Sequence, residues 1–228
     1  MNAAALLCAS PALVFDLDGT LVDTLPDLTD ALNQALREHG RAPVSSELVR
    51  GSLHGGIETS VEAALGRPGE ADPALAGAVL ARYQWLLDDQ PVRLSRPYPG
   101  VAALLQHCRA RGQRLAVCTN KREAQARRVL NELDLADFFS VVVGADTCSR
   151  RKPHAEPLLH AIAGLDCLPA QAVLVGDSPV DQACAAAARI GFLFFTGGYG
   201  GSPAGFAGGS GPMPAFGSYP MLLASLDG

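Results

Sequence analysis

Residues 12–20 read Ala12-Leu13-Val14-Phe15-Asp16-Leu17-Asp18-Gly19-Thr20. Four apolar residues in succession, without alternation, mark a strand buried on both faces, and a pair of carboxylates follows at once. Three further runs have the same continuous character: Leu115-Ala116-Val117-Cys118, Val141-Val142-Val143 and Ala172-Val173-Leu174-Val175. Around them the spacing is helical, with Val101, Leu104, Leu105 and Cys108 in one segment and Val129, Leu130 and Leu133 in the next. Leu158, Leu159 and Ile162 follow, then an Ala-rich segment from Val180 to Ala188. Strands and helices in alternation predict parallel pairing through right-handed crossovers, hence an α/β fold built on a doubly wound, Rossmann-like sheet.

One interval breaks the rhythm. Phe15 and Leu115 are separated by about a hundred residues, far more than the ~10 to 12 that a single crossover needs. Between Leu25 and Leu87 the chain reads as several helices, punctuated by Pro26, Pro43, Gly51, Gly66 and Pro73. Leu28, Leu32 and Leu36, and later Leu80, Tyr83 and Leu87, mark their apolar faces. The expectation is an all-helical domain over 23–95 inserted into a core made of 1–22 and 96–228, with hinges at Leu21 to Leu25 and Gln90 to Pro99. Gly197 to Gly217 is dense in Gly with Ser and Pro, which predicts a loop, followed by a short helix near Met221 to Leu226.

Composition removes several functional classes. With 228 residues the chain has room for one large or two modest domains, and 48% hydrophobic against 18% charged residues excludes intrinsic disorder. Lys and Arg total 18 against 23 acidic residues, a formal charge of -5, and no basic stripe is present, so nucleic acid is not an expected partner. None of the six cysteines has the Cys-x-x-Cys spacing of a zinc or redox pair, which predicts free thiols in a reducing compartment. Ala3 to Ala9 and Phe192 to Phe195 fall far short of the ~18 to 20 apolar residues that cross a bilayer. The first also lacks the basic flank of a secretion signal, so no membrane association and a cytoplasmic location are expected.

In an open parallel sheet ligands bind beyond the carboxyl ends of the strands. Those ends carry Asp16-Leu17-Asp18-Gly19-Thr20, Thr119-Asn120-Lys121, a basic stretch leading to Lys152-Pro153, and Gly176-Asp177-Ser178-Pro179-Val180-Asp181. Carboxylates suit a hard divalent cation, while an ammonium and a hydroxyl suit a phosphate. Plainer readings stand beside each. Asp-x-Asp-Gly is also an ordinary turn, although a calcium loop is excluded because its sixth position, Leu21, is not Gly. Thr119 and Asn120 also suit the cap of a helix starting near Lys121, and such a helix end at a strand tip binds phosphate as well. Lys152 follows Arg150 and Arg151, as in a solvated basic run. Ser178, Pro179 and Asp181 fit the cap, first and third positions of a helix, so capping alone accounts for Asp181. Asp177 has no such duty and is better explained as a metal ligand.

These residues resemble the haloacid dehalogenase-like hydrolase superfamily and its phosphoglycolate phosphatase-like branch. The resemblance runs from Val14-Phe15-Asp16-Leu17-Asp18-Gly19-Thr20-Leu21-Val22-Asp23-Thr24 through Arg96-Pro97-Tyr98-Pro99-Gly100-Val101, the Thr119, Lys152 and Asp177 strings, and Gly198-Tyr199-Gly200. It implies a Mg²⁺-dependent phosphatase of a small phosphorylated metabolite, 2-phosphoglycolate first, with the inserted helices as a mobile cap. It further implies Asp16 as nucleophile and Asp18 as general acid and base, a second Asp that haloacid dehalogenases lack. Mg²⁺ is then held by Asp16, the backbone carbonyl of Asp18 and Asp177. Thr119 and Lys152 bind phosphoryl oxygens, Asn120 assists through its backbone amide, and Asp181 orients Lys152 or a metal-bound water. Arg50 and His54 are the cap residues most able to face a substrate, although a surface Arg and a capping His beside a Gly turn are the better reading of each taken alone. Sugar-phosphate or nucleotide phosphatase, sugar phosphomutase and non-catalytic phosphate binder are the competing functions, and monomer and homodimer both remain open. Arg189-Ile190-Gly191 and the Gly-rich stretch after Tyr199 depart from the branch.

Overall fold

The computed structural model describes residues 2–66, 72–90, 92–200 and 213–226, without the side chain of His54. The chain forms two compact units, Met1–Asp23 with Arg96–Gly228, and Thr24–Ser95. The first opens with α1 (Ala3–Ala9), β1 (Ala12–Phe15) and β2 (Val22–Asp23). The second contributes α2 (Leu25–Glu38), α3 (Ser46–Ser52), α4 (Ile57–Leu65) and α5 (Pro73–Asp89). The first unit resumes with β3 (Arg96–Pro97), α6 (Val101–Ala110), β4 (Arg114–Cys118), α7 (Glu123–Glu132), β5 (Val141–Val143) and α8 (Glu156–Gly164). It finishes with β6 (Ala172–Gly176), α9 (Pro179–Ala188), β7 (Gly191–Phe195), β8 (Ala215–Phe216) and α10 (Tyr219–Ala224).

The main sheet has the order β5-β4-β1-β6-β7-β8 and every pairing in it is parallel. Val14 lies opposite Ala116 on one side and Leu174 on the other, so the apolar run over 12–15 is a central strand. On one face Val14, Ala116, Cys118 and Leu174 pack against Leu158, Ala161 and Ile162 of α8 and Cys184 and Ala185 of α9. Each fully buried Leu or Val in this layer contributes about 1.5–3 kcal/mol of transfer free energy. The four apolar runs are strands as expected, since side chains buried on both faces leave no position for a polar residue.

Three elements arise in stretches that the sequence reads as hinges or a loop. Val22–Asp23 and Arg96–Pro97, inside the stretches expected as hinges, form a short antiparallel ladder, β2 with β3. β8 emerges at the end of the stretch expected as a loop, of which residues 201–212 lie outside the described residues. Two residues carry no periodicity, and β8 is recruited by the edge of β7: Phe194 N donates to Pro214 O and Thr196 N to Phe216 O. Phe195, Phe216 and Tyr219 then stack with centroids 4.9–5.1 Å apart. α10 starts at Tyr219 rather than near Met221, because Ser218 caps it.

In the helical unit α2 packs on α5 and α3 on α4. α2 buries Leu28, Leu32 and Leu36 as read, but the buried stripe of α5 is Val79, Tyr83 and Leu86, with Leu80 and Leu87 half-buried beside it. Both stripes have helical spacing, and only the position of α2 distinguishes them. The ends of this unit are tied by Asp27. Its carboxylate accepts hydrogen bonds from the amides of Arg93, Leu94 and Ser95 and from Ser95 Oγ at 2.6 Å. Burial pushes this carboxyl up, but the Ser95 hydroxyl and the three amides outweigh it and hold it below the ordinary 3.8. Asp27→Ala should destabilise the helical unit by about 1–3 kcal/mol in chemical denaturation, the cost of hydrogen bonds to a charged group. A depressed carboxyl stabilises above the ordinary value, so this contribution should be complete at neutral pH and vanish as pH falls below 3.8. A wild-type to variant difference that is flat across that range would remove the role.

Candidate active site

Asp16, Thr119 and Asp177 sit just past the carboxyl ends of core strands. Asp16 N donates to Val175 O at 2.9 Å, carrying the β1–β6 ladder one residue past β1 and fixing where the carboxylate points. Thr119 N does the same with Val143 O at 2.9 Å beyond β4. The chain after Asp16 turns tightly: Gly19 N donates to Val22 O, and Leu21 and Val22 both donate to Leu17 O. Gly19 has φ +82°, and a Cβ there would lie 2.5 Å from Asp177 Oδ2, so no side chain is compatible with this turn.

Lys152 is the hub. Its Nζ donates to Asp16 Oδ1 at 2.8 Å, Cys118 O at 2.8 Å and Asp181 Oδ1 at 2.6 Å, which employs all three of its N–H groups. Burial works against the charge, but Asp16 and Asp181 prevail and hold the ammonium well above the ordinary lysine value. Asp181 has two tasks: Oδ1 takes Lys152, while Oδ2 takes Ser178 N and Ser178 Oγ in the capping box of α9. Asp181 thus caps α9 through one oxygen and meets Lys152 through the other.

Asp177 is held by groups from two loops. Thr20 Oγ1 donates to its Oδ1 at 2.9 Å and Tyr199 N to its Oδ2 at 2.6 Å. The second contact requires Gly198 and Gly200 beside it: a Cβ on Gly200 would sit 1.8 Å from Asp177 O. Tyr199 Oη donates to Asp23 at 2.7 Å, and Tyr219 Oη donates to Thr20 O at 2.8 Å, so β2 and α10 brace the same pair of loops.

The turn after β4 differs from expectation. α7 starts at Glu123 with Arg122 at its cap position, not near Lys121. Thr119 Oγ1 instead accepts from Lys121 N at 3.2 Å. Asn120 uses its side chain: Nδ2 donates to Lys152 O at 3.1 Å, while the buried Oδ1 meets no partner among the described residues. Lys121, a residue the sequence reading left without a role, donates to both carboxylate oxygens of Asp18 at 3.0 and 3.1 Å. A signal for it was present, since Lys121 and Lys152 are the two lysines of a chain whose other 16 basic residues of the Lys and Arg class are arginines.

Asp16, Asp177 and Asp181 are buried, with one oxygen from each lying within 4.8 Å of the others. Burial, reinforced by Asp181 and Asp177 against the pull of Lys152, pushes the Asp16 carboxyl up to about 8. Burial and Asp181 push Asp177 up to about 7 against Tyr199 N, Thr20 and Lys152. Three carboxylates around one ammonium form a pocket of oxygen donors short of positive charge, without sulfur or imidazole, which fits a hard divalent cation. Asp16 Oδ2 accepts no hydrogen bond among the described residues, and Asp177 retains lone pairs on both oxygens. The oxygens of Asp181 are the most fully engaged. No helix of the described residues is long and apolar enough to cross a membrane.

The geometry has close parallels. Residues 13–195 match the model of the haloacid dehalogenase-like hydrolase family. A phosphoglycolate phosphatase of Rhodospirillum rubrum is 43% identical over 197 residues, covering 84% of this chain and 82% of its own. One from Nitrosospira multiformis is 39% identical over 179 residues, covering 78% and 79%. The crystal structure of a predicted phosphoglycolate phosphatase from Haemophilus somnus superimposes with a TM-score of 0.84 at 26% identity, covering 95% of this chain and 98% of that one. A central parallel sheet with its acidic cluster at the strand ends, together with this similarity along most of its length, establishes that the chain belongs to the haloacid dehalogenase-like hydrolase family and is a phosphoric monoester hydrolase.

Proposed function

We infer that the chain hydrolyses 2-phosphoglycolate through a phosphorylated Asp16, with Mg²⁺ as its metal. The observation that carries this reading is the asymmetry of the Asp16 carboxylate: Oδ1 is anchored by Lys152 and Oδ2 is left to attack. Asp16 Oδ2 bonds to phosphorus as the ester P–O bond breaks, and Asp18 gives the departing alkoxide its proton. Asp18 then takes a proton from water, whose oxygen bonds to phosphorus as the bond to Asp16 breaks, releasing inorganic phosphate and restoring both carboxyls. Asp16, the Asp18 carbonyl and Asp177 would hold Mg²⁺, which supplies positive charge against the repulsion between carboxylate and phosphate. Thr119, the Asn120 amide and Lys152 bind the phosphoryl oxygens, Lys152 by exchanging one of its present acceptors. Asp181 keeps that ammonium in place. The helical unit serves as the cap that selects substrate. The substrate assignment rests on the names of the related phosphatases and on the retained Asp18.

The test is phosphate release by purified protein with Mg²⁺ over a panel of 2-phosphoglycolate, sugar phosphates and nucleoside monophosphates. The highest kcat/KM is expected for 2-phosphoglycolate; a sugar phosphate or nucleotide at the top replaces the assignment, and isomerisation without release indicates a mutase. Chelation should silence the enzyme and added Mg²⁺ restore it, whereas full activity in excess chelator would refute the metal.

A further inference from the structure

Lys121 and Lys152 use their charge differently. Lys152 has three acceptors for three N–H groups and is closed to any newcomer unless one is displaced. Lys121 Nζ meets one carboxylate, that of Asp18, and among the described residues no other acceptor, so one N–H is uncommitted. The stem is prepared for this position. Lys121 N donates to Thr119 Oγ1 and Lys121 O accepts from Ala145 N at 2.9 Å, so the backbone is pinned on both sides. The side chain is 9% exposed, and that of Asp18 is 21% exposed. A pinned, largely desolvated ammonium with a spare donor is a binding group rather than a solvated charge. Its place is specific. With Asp18 as the acid that protonates the leaving alkoxide, Asp18 faces the ester oxygen, so the ammonium against it lies where the alcohol portion of the substrate begins.

We propose that Lys121 selects phosphomonoesters whose alcohol carries a carboxylate on the carbon next to the ester, by donating its uncommitted N–H to that carboxylate while holding Asp18 with the others. The proposal rests on the assignment of 2-phosphoglycolate and names the residue that reads its second anion. A lysine ammonium is a compact point charge with three donors, so a single atom can serve both Asp18 and the substrate.

The test compares 2-phosphoglycolate with 2-hydroxyethyl phosphate, which replaces the carboxylate by a neutral hydroxymethyl group of similar size. In the wild type kcat/KM should favour the carboxylate by about 10- to 100-fold, as expected for one charge-assisted hydrogen bond. Lys121→Gln should bring that ratio close to one, mainly by raising KM for 2-phosphoglycolate, and Lys121→Arg should recover part of the preference. A Gln variant that keeps the wild-type ratio would overturn the proposal while leaving the substrate assignment intact. Failure of the wild type to prefer 2-phosphoglycolate would overturn both. Independently of any variant's folding, 3-phosphonopropionate should bind the wild type more tightly than propylphosphonate in calorimetry, and equal affinities would count against a carboxylate site.

Discussion

Asp16→Asn should reduce phosphate release by roughly 10⁴-fold or more, the scale of loss when a nucleophile is removed from a covalent mechanism. The amide has the shape of the carboxyl but lacks the charge and the lone pair that attack phosphorus. Folding should survive. Lys152 keeps the Cys118 and Asp181 oxygens as acceptors, and the oxygen of the introduced amide can accept the third bond. Stability should hold or rise slightly, because burial and two neighbouring carboxylates already oppose ionisation of Asp16. Activity and thermal unfolding measured on the same preparation separate the two effects. Acid quenching during turnover of ³²P-labelled substrate should leave label on the wild type and none on the variant. Undiminished hydrolysis by Asp16→Asn would sink the nucleophile and reopen the choice among phosphate-handling functions.

Lys152→Met should have the largest effect on stability. The substitution leaves Asp181, wholly buried, and Asp16 without their common cation. Breaking a buried ion pair from one side costs about 3–5 kcal/mol, because the remaining charge is desolvated and uncompensated. In a chain of this size each kcal/mol lowers Tm by about 2–4 °C, so a fall of roughly 6–20 °C is expected. Activity should vanish with it. A second change tells loss of the pair from loss of packing: Lys152→Met with Asp181→Asn removes one stranded charge but keeps an oxygen for the Ser178 cap. The double variant should regain part of the stability and none of the activity. A single variant as stable as the wild type would mean that Lys152 does not act as the hub of these carboxylates.

The two cases differ in how visible the residue was. Asp16 follows directly from a strand that is buried on both faces, since the residue after such a run must leave the sheet at its carboxyl edge. Lys152 lies nine residues beyond β5 and shares its stretch with two arginines, so spacing could not separate a hub from a solvated run. Asp181 was explicable as a cap, and it is one; its second oxygen faces the site because α9 starts at the end of β6 beside β1. Tyr199 N, Thr20, the Asn120 side chain and Lys121 were not assigned their contacts, since backbone donors and side-chain angles leave no trace in composition. α5 showed the same limit, because two adjacent stripes satisfied one helical period.

Short-range chemistry decided the α/β architecture, the place of the inserted helices and the strand ends that carry reactive groups. These are set by burial and periodicity, which are properties of neighbouring residues. The sheet order, the recruitment of β8, the holding of Asp177 by Thr20 and Tyr199, and the differing commitments of the two lysines were settled only by the assembled core. They depend on contacts between residues far apart in the chain, 157 positions for Thr20 and Asp177, and such distances are fixed by packing rather than by sequence spacing.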